Sequence, residues 1–205
     1  MPLLTRAAAR AAELPAELPA DARRDLCLRR AVSAKRDAVL ARRRSVDAYT
    51  DCVVGTSGLQ VDHVLEIQLA EVALARSLAT TRARVGSMAT AHATEVLGDA
   101  LNEFENLNVT SARINQAKRG PFTAALNRLH SDRLRDVTLE QLARAGRARS
   151  LVDDGTWSRI ETSIVRSWDA AADALGDVGL MPESRRLVDA TCDEVADLLG
   201  RLGLG

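Results

Sequence analysis

Asp62 and His63 are adjacent, and Asn106 and Asn115 follow further on, nine positions apart. Together they supply an acid, a base and two amides. A carboxylate and an amide oxygen are hard ligands suited to a divalent cation, magnesium first, with manganese or zinc as alternatives. A neutral histidine is the expected base near pH 7. Neighbouring side chains on a strand point to opposite faces, so Asp62 is expected to turn to a cation on the helix side while His63 faces an attacking water. Asn115 supplies the second oxygen ligand. Asn106 is expected to fix the loop and orient His63 by hydrogen bonding. Such a set serves metal-assisted phosphodiester hydrolysis, in which the base deprotonates water and the cation holds the scissile phosphate and stabilises the leaving oxygen.

Each of these residues needs an element to place it. Leu59 to Val64 alternates in the manner of a strand after the turn-rich Gly55-Thr56-Ser57-Gly58. Asn106 to Thr110 is a second short strand, and Ser111 is a ready N-cap for a helix carrying Arg113, Asn115 and Lys118. Gly120-Pro121 is expected to stop that helix or bend it into the next. Between the strands, residues 66–104 read as one or two amphipathic helices, with Gly86 a break and Gly98 a weaker one. Upstream, Thr5 caps a short helix, Pro15 and Pro19 mark a corner, and Asp21 caps a long basic helix to about Val46. Downstream the chain is helical over about 122–135, 138–152 (after the cap-like Thr138), 156–175 and 182–202. The expected organisation is a basic helical region 1–48, a ββα unit with its helical insert over 49–130, and an acidic helical region 131–205.

The two fragments VDHVLEIQ and ENLNVTSARINQAKRG, about 25 residues in all, resemble the HNH nucleases of the His-Me finger superfamily. Those have Asp-His, then Glu/Asp-Asn-Leu followed by a strand, then Asn/His-x-x-Lys-Gly/Arg, and Asn115 stands where many members have histidine. The resemblance implies a ββα-metal core in a mainly α chain. It makes Asp62 and Asn115 metal ligands, His63 the general base and Asn106 the middle asparagine. This is an H-N-N arrangement, similar to that in the HNH domains of RNA-guided nucleases. The gap of 43 positions between His63 and Asn106 is longer than in compact members, and no cysteine knuckles brace the finger.

Composition frames the substrate. Net charge is zero, from 28 basic and 28 acidic residues. Yet Arg23 to Arg44 holds nine basic residues against two acidic, and Asp153 to Gly205 five against eleven, so only the front half suits a polyanion. Arg113, Lys118 and Arg119 flank the expected cation, and Arg42, Arg43 and Arg44 extend the track. Phosphate contacts of this kind carry no sequence preference. The expectation is therefore weakly specific cleavage of DNA, favoured over RNA. The alternatives are a non-catalytic helical interaction protein that keeps the finger, and an effector or toxin nuclease acting on RNA. The C-terminal helices would be a surface for a partner or for self-association.

Other features are read as structural. His92 and His130 have no partner at ligand spacing. Glu66 and Gln68 either brace the site or open the inserted helix. Cys27, Cys52 and Cys192 form no framework. The opening segment is too acidic and too weakly apolar for a signal peptide, and no run reaches transmembrane length. An intracellular or nuclear location is the expectation.

Overall fold

The computed structural model describes residues 28, 32–55, 58–81, 85–130, 137–146 and 148–204. The expected helix from Thr5, the corner at Pro15 and Pro19, the Asp21 cap and the arginines at 23, 24, 29 and 30 lie outside these residues. Within them the chain is mainly helical with one two-stranded antiparallel sheet. A 3-10 turn (Val32–Lys35) leads into α1 (Arg36–Arg43), followed by β1 (Leu59–His63), α2 (Ile67–Thr81) and α3 (Ser87–Leu101). A second 3-10 turn (Phe104–Asn106) opens β2 (Leu107–Ser111), and α4 (Ala112–His130) follows directly. Then come α5 (Leu139–Ala145), α6 (Ala148–Leu151), α7 (Asp154–Asp177) and α8 (Pro182–Arg201).

The sheet pairs Leu59 with Ser111 through His63 with Leu107, which sets Asp62 opposite Asn108. β2 alternates with the period of two that a strand imposes. Leu107 and Val109 pack on Val39 of α1 in a small apolar cluster. Asn108 and Thr110 point the other way, into fully buried surroundings. They are stable there because Asp47, also fully buried, receives them: Asn108 Nδ2 donates to Asp47 Oδ1 at 3.0 Å and Thr110 Oγ1 to Oδ2 at 2.8 Å. The Tyr49 amide donates to the same carboxylate at 2.8 Å. Buried polar groups are tolerated only when paired in this way.

The helical insert is held by the C-terminal helices. Buried Ile67, Leu69, Ala70, Ala73 and Leu74 form one stripe of α2, and Leu187, Val188, Val195, Leu198 and Leu199 form the facing stripe of α8. Arg76 pairs with Glu194 at 2.8 Å across this contact, and Ser77 Oγ donates to Ala190 O. Each fully buried leucine contributes on the order of 1.5–3 kcal/mol. The main apolar core therefore runs continuously from the insert to Leu204.

Local signals operate where expected. Ser111 Oγ accepts from the Ile114 amide at 3.3 Å, Thr138 and Gln141 form a reciprocal capping box, and Asp153 caps α7. Gly86 stands at the start of α3, while Gly98 lies inside it without a break. One expectation is overturned and another is narrowed. Within the described residues the basic helix ends at Arg43, not Val46. Arg44 and Ser45 adopt left-handed φ of 51° and 56°, and Val46 bridges Val53 instead. Of the two outcomes expected at Gly120-Pro121, the stop is excluded, because α4 runs on to His130 with Pro121 inside it. Burial of Phe122, Ala125 and Leu129 along one face outweighs the hydrogen bond that Pro121 removes.

Candidate active site at the sheet–helix junction

A cleft of about 470 Å³ opens where the end of β1 meets α4. Asp62, His63 and Glu66 line it from the first segment, and Asn115, Arg119 and Thr123 from α4, with Val32, Val61 and Phe122 among its apolar walls. Asp62 and His63 both line this cleft, and their pairing opposite Asn108 and Leu107 places them on alternate faces of the sheet. His63 is the last residue of β1, where strand alternation gives way to the turn into α2. Asn115 is half-buried, and its Nδ2 donates to Gln60 Oε1 at 2.8 Å.

The largest departure is Lys118. Expected on the surface beside a phosphate, it is fully buried. Its ammonium pairs with Asp62 Oδ2 at 2.5 Å and Glu66 Oε1 at 3.2 Å. It also donates to the His63 carbonyl and, at 3.3 Å, to the Val64 carbonyl. The physical reason is helical phase: Ile114, Lys118, Phe122, Ala125 and Leu129 recur at three or four residues, so Lys118 lies on the inward stripe of α4. That spacing was the available signal. Burial alone would lower the Lys118 pKa, but neighbouring Tyr49, Asp62 and Glu66 outweigh it and raise it above the ordinary lysine range. Glu66 is thus a brace for the site and, at the same time, immediately precedes α2.

Asn106 is fully buried and organises the loop after β1. Its Oδ1 accepts from the Leu65 amide and from Ser167 Oγ, both at 2.6 Å, and its Nδ2 donates to Leu101 O at 2.8 Å. The loop-fixing part of the expectation stands, but the amide on the histidine belongs to Asn102. Asn102 Oδ1 lies 2.9 Å from His63 Nε2. Its sequence signal is slight: a polar residue ending the apolar stripe of α3.

The remaining cations divide. Arg119 is exposed and lines the cleft. Arg113 donates to Leu151 O at 2.6 Å. Arg42 pairs with Glu105 at 2.6 Å and stacks over Phe104, and Arg43 donates to the carbonyls of Leu107 and Phe104. Arg44 is exposed at the left-handed end of α1. Arg42 and Arg43 thus serve the start of β2. His92 contacts Ser184 Oγ at 3.4 Å, away from the cleft.

The chain matches no family model, no curated protein and no solved structure.

The donor set can be tested for a cation on its own terms. Among the described residues no three His, Cys, Asp or Glu side chains gather closely enough to hold a metal. A cation here would rest on Asp62 and Asn115, with water completing its shell, as magnesium commonly does. Both residues line the cleft. The Oδ2 of Asp62 is buried against Lys118, and the side chain as a whole keeps about 10% exposure. A carboxylate held from behind by an ammonium has its rotamer fixed.

Tyr49 sits beneath this ion cluster, fully buried, with its hydroxyl lacking a hydrogen-bond partner among the described residues. Burial pushes its pKa well up; Lys118 opposes this, and Asp62, Asp47 and Glu66 add to it. Tyr49 is the chain's one tyrosine, so its titration can be read alone. A raised native value means that the unfolded chain releases the proton first, near pH ~10. Stability is therefore expected to hold up to about pH 10 and to fall above it. Lys118, also raised, contributes in the same direction. In an alkaline titration, tyrosinate absorbance should appear together with loss of far-UV circular dichroism. Tyrosinate in a still-folded chain would contradict this burial.

Proposed function

We propose that the cleft hydrolyses phosphodiester bonds in nucleic acid, DNA in preference to RNA, with one divalent cation held by Asp62 and Asn115. The single observation that carries the reading is the convergence of Asp62, His63, Asn115 and Arg119 on one cleft at the sheet–helix junction. When bound, the cation supplies charge that holds the scissile phosphate and stabilises the leaving oxygen. His63 takes the proton of the attacking water, and Asn102 and Asn106 hold the histidine and its loop. Arg119 offers a phosphate contact at the rim, without base selectivity. Magnesium is the expected ion, with manganese or zinc as alternatives. No described helix is long and apolar enough to cross a membrane. An intracellular or nuclear location, and partner or self-association through the C-terminal helices, remain parts of this proposal.

The test is nicking of supercoiled plasmid by the full chain with magnesium, manganese or zinc, and with EDTA. Single-stranded RNA is run in parallel for the toxin-type alternative. Metal-dependent, EDTA-sensitive cleavage is expected. Its absence with every ion and both substrates overturns the proposal and leaves a second reading, a non-catalytic helical interaction protein. One observation favours that reading: Lys118 already neutralises the carboxylate that a metal would use.

Arg119→Ala separates substrate contact from chemistry. Loss of one phosphate contact should weaken DNA binding across all sequences and reduce the slope of log K against log salt by about 1. Fluorescence anisotropy on labelled duplexes over a potassium chloride series measures it. An unchanged slope would remove Arg119 from the interface.

A further inference from the structure

We infer that Asn102 is a positioning residue that holds His63 in the tautomer protonated on Nε2. The argument begins with the amide and not with the ring. Oxygen and nitrogen of an asparagine side chain are told apart by their partners. Asn102 Nδ2 faces two carbonyl oxygens, Leu28 O at 2.7 Å and Gly98 O at 2.5 Å. Carbonyls only accept, so the atom facing them must be the NH₂. The atom facing His63 Nε2 at 2.9 Å is therefore Oδ1, which also only accepts. A hydrogen bond between Nε2 and Oδ1 then requires the proton on Nε2. In the neutral ring the lone pair falls to Nδ1.

The backbone fixes Asn102 as firmly as its side chain. Its amide donates to Gly98 O and Asp99 O at the end of α3, and its carbonyl accepts from Lys35 Nζ at 3.0 Å. Both Asn102 and His63 are almost fully buried, at 4% and 3% exposure, so water competes little for the bond. A neutral amide orients the ring without adding a second negative charge beside Asp62. The role expected of Asn106 thus falls to a residue four positions earlier, at the C-terminal cap of the inserted helix.

The catalytic meaning of this assignment rests on the nuclease reading above, but the tautomer is a property of the folded chain and is tested without activity. Long-range proton–nitrogen correlation spectra are recorded on protein labelled with nitrogen-15 histidine, at a pH where the ring is neutral. His63 signals are assigned by their disappearance in His63→Gln. The wild type is expected to show His63 protonated on Nε2. A ring protonated on Nδ1, or an even mixture, overturns the inference whether or not the chain cuts DNA. Asn102→Ala should shift the ring toward a tautomer mixture and lower kcat on the order of 10–100-fold with KM retained. An Asn102→Ala spectrum identical to wild type overturns the inference. If that variant fails to fold, the wild-type spectrum alone decides. The Nε2 tautomer in a chain that cuts nothing under any ion would leave this assignment intact and remove only the nuclease reading.

Discussion

His63→Ala is expected to lower metal-dependent plasmid nicking by roughly 10²–10⁴-fold, the usual contribution of a positioned general base. His63 suits this task because three separate parts of the chain converge on it. Its backbone closes β1, its Nε2 meets Asn102 at the end of α3, and its carbonyl receives the Lys118 ammonium from α4. The ring therefore has little freedom, and His63 lines the cleft shared with Asp62, Asn115 and Arg119. A loss of rate could also come from a damaged fold, since the ring is almost fully buried. Two measurements separate the causes. Circular dichroism and Tm of the variant report the fold, and His92→Ala, on α3 away from the cleft, serves as a histidine control with unchanged nicking. Nicking by His63→Ala at the wild-type rate would sink the assignment of the base and, with it, the proposed mechanism.

The second large effect concerns stability. Lys118→Met should cost about 3–5 kcal/mol, because removing one partner of a buried ion pair leaves uncompensated charge. The methionine fills most of the lysine stem's volume, so the loss reports charge more than packing. Two carboxylates, Asp62 and Glu66, lie within 3.2 Å of the ammonium and are themselves about nine-tenths buried, so screening by solvent is slight. Two backbone carbonyls lose their donor as well. Urea unfolding, with the midpoint converted through a shared slope, measures the difference. The triple variant Lys118→Met, Asp62→Asn, Glu66→Gln should recover much of the loss, since no charge is then stranded. A cost below about 1 kcal/mol for the single variant would place this ion cluster in the class of exposed pairs, against its burial.

These two experiments probe one arrangement from two sides. Lys118 holds Asp62 and the turn after β1, and that turn carries His63 into the cleft. If the chain is a nuclease, the ammonium is part of how the carboxylate is aimed. If it is an interaction protein, the same ammonium closes the site. Lys118→Met read for stability and His63→Ala read for nicking answer different questions, and both results are needed to choose.

Much of the fold was legible in local pattern. The strands at Leu59 and Leu107, the Ser111 cap, the Thr138 capping box, the break near Gly86 and the long amphipathic α7 and α8 each depend on residues within about one helical turn or two strand positions. Gly120-Pro121 left a stop or a bend open because its local meaning is a break, whereas the apolar face of α4 packs on both sides of it. Lys118 was half legible: its phase on the α4 stripe was visible, but a lone lysine on a stripe reads as a surface residue until its acids are known.

The sequence by itself determined the order of elements and the residue types available for chemistry: acid, imidazole and amides at the ends of short strands and the start of a capped helix. Tertiary structure alone decided which polar groups meet. Lys118 finds its carbonyl on His63 55 positions away, Asn102 reaches His63 across 39, and Asp47 receives Thr110 across 63. Periodicity and capping are set by neighbours a few residues apart, and so leave a trace in the sequence. A pairing across an inserted helical hairpin is set by how α2 and α3 pack on α7 and α8, and a buried charge is stable only where that packing delivers its partner.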